Sequence, residues 1–96
     1  MTHQDLLIQK HAEILQIAAR YGARNVRVFG SVARAQADEQ SDIDFLVEME
    51  PGRSLFDLGG LQSELETALG RPVDVTTVKG LKARIRARVL QEAIPV

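Results

Sequence analysis

The hydrophobic positions change period several times along the chain. From Thr2 to Tyr21, Leu7, Ile14, Ala18 and Tyr21 recur at helical spacing, and Leu6 and Ile17 widen the stripe, so the segment reads as one amphipathic helix. Thr2 with Asp5 three residues on is a capping pattern, and Gly22 is a stop. His11 reads as a helix histidine at the edge of a core, and His3 as part of a frayed terminus. Asn25 to Phe29 is a short strand, Ser31 to about Gln36 a short helix, and residues 37–41 a polar loop. Asp42 to Met49 alternates, with Ile43, Phe45, Val47 and Met49 on one face and Asp44, Leu46 and Glu48 on the other. Pro51-Gly52 breaks the chain, and Ser54 with Asp57 starts a helix. Leu58, Leu61, Leu65 and Leu69 form its apolar side, and Gly70 and Pro72 end it. Gly59 and Gly60 weaken that helix by about 1 kcal/mol each. Pro72 to Thr77 is a third strand, in which Asp74 faces opposite to Val73 and Val75. A last helix from about Leu81 to Ala93 buries Leu81, Ile85 and Val89, and its other side is basic.

Helices and strands alternating in this way predict an α/β domain over residues 1–96, with a three-stranded sheet and about four helices. Consecutive strands are usually neighbours, so the strand of Asp74 is expected beside that of Asp42 and Asp44. Three carboxylates would then share one sheet face.

That placement changes the reading of the polar residues. Asp42 and Asp44 lie two apart on a strand, so both point to one face while Ile43 points into the core. Their Cα atoms are about 7 Å apart, close enough for both to reach a pair of divalent ions. Without a cation they would repel each other. Upstream, Gly30 ends a strand and permits a tight turn with close backbone approach, and Ser31 is placed to be an N-cap. Backbone N–H groups and the Ser31 hydroxyl there could face an anion. An Asp-x-Asp alone is weak, because turns are rich in Asp. In this order, with a third Asp on a later strand, the set points to phosphoryl chemistry.

Composition narrows the class. Hydrophobic residues at 45% and charged residues at 26% are ordinary for a globular protein. The formal charge of −1 provides no overall basic field, so direct nucleic-acid binding is not expected. The charges are uneven: most acids lie between Asp38 and Glu66, whereas Lys79, Lys82, Arg84, Arg86 and Arg88 crowd the end. The basic helix face could contact an acidic partner or a phosphate tail, and is otherwise a solvated surface. The absence of cysteine removes disulfides and thiolate metal sites. No apolar run approaches the length of a membrane span, and residues 1–10 lack a signal-peptide core, so a cytoplasmic protein is expected.

Gly30-Ser31, ten residues, then Asp42-x-Asp44 resembles the signature of the nucleotidyltransferase superfamily that includes DNA polymerase beta. The short chain, the run from Ser41 to Val47, and Pro72 to Val75 around Asp74 are similar to the minimal nucleotidyltransferases, specifically the MntA-type antitoxins encoded beside HEPN-domain toxins. The resemblance covers nearly everything from Asn25 onward and implies that superfamily's fold with a three-stranded mixed sheet. It implies that Asp42 and Asp44 bind two Mg²⁺, that Asp74 completes one metal site and helps deprotonate the acceptor hydroxyl, and that Gly30 and Ser31, with Arg34, hold the phosphates of ATP. Members often carry Gly after the arginine matching Arg34, where this chain has Ala35. The implied reaction places AMP on a tyrosine of the HEPN ribonuclease toxin and silences it. At 96 residues there is no room for an acceptor domain, so a partner would deliver the acceptor. A binding-only antitoxin, and a transferase acting on a small-molecule hydroxyl or on RNA ends, remain as alternatives.

Overall fold

The computed structural model describes residues 2–38 and 40–96; Glu39, in the expected polar loop, lies outside them. In chain order it comprises α1 (His3–Gln9), α2 (His11–Arg20), β1 (Ala23–Phe29), α3 (Gly30–Ala33), β2 (Ile43–Met49), α4 (Leu55–Leu69), β3 (Val73–Thr77), α5 (Ala83–Glu92) and β4 (Ile94–Pro95). The sheet order is β3-β2-β1-β4. β2 and β3 run parallel, joined by the crossover helix α4, while β1 is antiparallel to both β2 and β4.

The sheet therefore has four strands among the described residues, not three. β4 is only Ile94–Pro95, paired to Val28 and Arg27, and Pro95 argues against a strand from sequence. The expected first helix is two. The chain turns at Lys10 (φ −98°, ψ 12°), which lets α1 bury Leu6 and Leu7 while α2 buries Ile14, Ile17 and Ala18. Both capping patterns form: Thr2 Oγ1 accepts from Asp5 N–H, and Ser54 N–H donates to Asp57.

β2 is buried on both faces, as its near-continuous apolar run requires. Ile43, Phe45 and Val47 enter a core with Ile14 and Ile17 of α2 and Leu61, Leu65 and Leu69 of α4. Leu46 points the other way, under α5, against Leu81 and Val89. Gly60 lies where Tyr21 crosses α4: a Cβ there would fall 2.5 Å from a Tyr21 ring carbon. At the edge of the sheet, Gln62 and Glu66 of α4 accept from the outward N–H groups of Val75 and Val73, at 3.1 and 3.3 Å. No helix among the described residues is long and apolar enough to cross a membrane.

Candidate active site

The candidate residues gather where β1 ends and β2 and β3 begin. Phe29 pairs with Asp44, and Asp44 with Asp74, so the last position of β1 and the two carboxylates stand in register across three strands. Paired residues on adjacent strands share a face, and neighbouring strands are about 4.8 Å apart. Asp44 and Asp74 are therefore immediate neighbours on the face that α5 partly covers. Asp42 is exposed and precedes the first residue of β2.

Gly30 is required twice over. Its φ of +73° is a left-handed conformation that side chains resist, and a Cβ would lie 2.5 Å from Asp44 Oδ2. The expected N-cap role of Ser31 is not what forms. Because Gly30 itself turns the chain, Phe29 occupies the N-cap position without a side-chain bond, and Ser31 lies inside the first turn of α3. Two residues past that helix, Ala35 holds φ +58°, a left-handed conformation that a side chain resists.

Asp44 carries the electrostatic signature of the site. Partial burial, then the charges of Asp74 and Asp42, push its carboxyl up to about 6, with Glu92 adding to the rise and Arg34 opposing it. The donor set is oxygen only, which suits a hard cation such as Mg²⁺. Among the described residues no three acidic or histidine side chains converge to hold an ion as they stand. The register that sets Asp44 beside Asp74, with Asp42 two residues before it, nevertheless offers carboxylate oxygens of the kind a divalent ion takes.

Two features were missed from sequence. His3 is buried, not frayed, and its Nε2 meets the Ser41 carbonyl at 2.8 Å. Since a carbonyl can only accept, that ring nitrogen carries the proton. His3 thus anchors the turn that delivers Asp42, a turn also held by Asp38, whose Oδ1 accepts from Gln40 N–H and Ser41 Oγ. The second feature is Glu92. Its Oε1 accepts from Gly30 N–H at 2.9 Å, and Arg34 Nη1 donates to Oε1 and Oε2 at 3.2 and 3.1 Å. Burial opposes the Glu92 charge, but the Gly30 N–H and the Arg34 guanidinium outweigh it and hold the carboxyl below the usual range. The available signal was an acid at the end of a helix whose other charges are basic. On that helix the basic face is not uniform: Arg86 folds back to donate to the Val78 and Leu81 carbonyls, leaving Lys82, Arg84 and Arg88 exposed.

A glycine turn packed against carboxylates that stand in register on a mixed sheet is an arrangement that phosphoryl transfer can use. The profile of the nucleotidyltransferase domain matches residues 8–96, and the chain belongs to that family; it is a nucleotidyltransferase. It is 43% identical over 84 residues to a Methanocaldococcus jannaschii protein assigned as a protein adenylyltransferase, spanning 88% of this chain and 90% of that one. It is 40% identical over 81 residues to the protein adenylyltransferase MntA of Thermococcus cleftensis, spanning 84% and 82% respectively. A solved structure assigned as a minimal nucleotidyltransferase superposes with a TM-score of 0.86 at 48% identity, covering 100% of this chain and 97% of that chain. The crystal structure of a toxin-antitoxin with AMP-PNP shares the fold, with a TM-score of 0.74 at 19% identity over 88% of this chain and 69% of that one.

Proposed function

We propose that the chain is a Mg²⁺-dependent antitoxin of the cytoplasm that transfers AMP from ATP to a tyrosine hydroxyl of a partner HEPN ribonuclease and thereby silences it. The observation that carries this reading is the register of Asp44 with Asp74 beside the Gly30 turn. The relative from Thermococcus cleftensis, named a protein adenylyltransferase, supports a protein acceptor.

The roles follow from position. Gly30 lets the backbone approach the triphosphate, and Ser31 and Arg34 supply donors to its oxygens. Asp42, Asp44 and Asp74 would hold a pair of Mg²⁺ ions, which when bound neutralise the charge developing on the attacking and leaving oxygens. Asp74, on the outer of the two parallel strands and exposed, takes the proton of the acceptor hydroxyl. The tyrosine oxygen forms a bond to the α-phosphorus as the bond from that phosphorus to the bridging oxygen breaks, and pyrophosphate departs with the electron pair. In such transfers positioning and charge neutralisation supply most of the acceleration.

The test is incubation with the partner encoded by the neighbouring gene, Mg²⁺ and ATP, followed by intact mass spectrometry of the partner. A gain of one or more AMP units that is lost in the Asp42→Asn, Asp44→Asn double variant is expected. A partner that is silenced in complex without any mass gain would refute the transferase reading and leave neutralisation by binding alone.

A further inference from the structure

The mechanism gives Glu92 no part, yet its carboxylate lies among the groups assigned to phosphate. It is the last residue of α5, where backbone dipoles disfavour negative charge, and it is 62 residues from Gly30. Even so it takes the Gly30 N–H at 2.9 Å and the Arg34 guanidinium through both oxygens, with its side chain only 17% exposed. A carboxylate and a phosphate compete for the same donors, an aimed backbone N–H and a planar guanidinium. The single Gly30 N–H and the two hydrogens of Arg34 Nη1 cannot serve both at once.

We propose that Glu92 is an internal occupant of the phosphate subsite, which a polyphosphate must displace from Gly30 and Arg34 in order to bind. This inference rests on the assignment of Gly30 and Arg34 to phosphate. Glu92 therefore sets the affinity of the site: ligand binding is weakened by the fraction of molecules in which the subsite is free. Displacement does not strand the carboxylate, because Arg88, one turn earlier on α5, already acts on its charge. The contact also ties the end of α5, and β4 immediately after it, to the state of the site.

The experiment is calorimetric titration of the full chain with inorganic tripolyphosphate, without metal, in wild type, Glu92→Gln, Glu92→Asp, Arg34→Gln and the Arg34→Gln, Glu92→Gln double variant. Melting curves accompany each titration. If the contact holds nine molecules in ten, Glu92→Gln tightens binding about tenfold. Glu92→Asp keeps the charge but loses reach, so it also tightens binding; it decides the question where Glu92→Gln is unfolded. In the Arg34→Gln background the gain falls below about twofold, because one of the two competed groups is gone. Unchanged or weaker binding in folded Glu92→Gln, or an equal gain with and without Arg34, overturns the proposal. A chain that transfers no AMP but shows this pattern loses the function reading and keeps this inference; the reverse outcome does the opposite.

Discussion

Replacing Asp44 with Asn removes a charge that the fold holds at a cost. Burial and the neighbouring carboxylates push its carboxyl up to about 6, and each tenfold weakening of an acid corresponds to about 1.4 kcal/mol. The ceiling is near 3 kcal/mol; Asp44 is only half-buried, and solvent screening brings the effect to about 1–2 kcal/mol. The sign follows from the direction. A carboxyl raised by folding contributes stability that is complete below about pH 4 and lost as the pH rises through about 6. In chelator at pH 8, Asp44→Asn should therefore raise the melting temperature by about 5–10 °C, and at pH 4 the advantage should vanish. Circular dichroism melts of both proteins at the two pH values decide it. A variant no more stable than wild type at pH 8, or a gain that does not change with pH, refutes the electrostatic account. Adding Mg²⁺ at pH 8 should stabilise wild type and not the variant.

Two further predictions concern backbone geometry. Gly59 and Gly60 are neighbours in α4, but nothing lies within 4 Å of a Cβ at Gly59, while Tyr21 blocks one at Gly60; Gly59→Ala should stabilise by about 1 kcal/mol and Gly60→Ala should destabilise, as read by urea unfolding. Ala35 at φ +58° bears the strain that glycine avoids, so Ala35→Gly should stabilise by about 0.5–1 kcal/mol in the same assay, despite the added freedom of the unfolded chain.

The elements legible in the sequence were those whose signals are local. Ser54 with Asp57, the leucine spacing of α4 and the stop at Gly70, which holds φ +65°, each act within a few residues. So did the core face of β2, and the gathering of Gly30, Asp44 and Asp74 followed because each lies at or next to the end of a strand whose neighbours could be argued from order. What escaped depends on distant contacts. The turn at Lys10 interrupts a stripe that continues across it, and the ring of His3 finds its partner in the Ser41 carbonyl, 38 residues on. β4 is two residues with a proline, formed because β1 offers an edge to pair with. Glu92 on Gly30 and Arg34 could not be read from spacing, since helix α5 has to dock before its last residue reaches the site.

The acceptors that α4 lends to β3 limit how the sheet can be enlarged. An edge strand with free N–H groups invites another chain to add a strand. Here Gln62 and Glu66 occupy those of Val75 and Val73, so extending that flank first requires displacing these two side chains. At the opposite flank β4 is short and ends in Pro95, which has no N–H to offer. Among the described residues, a strand added at either border would meet side-chain acceptors already engaged on one flank and a proline on the other.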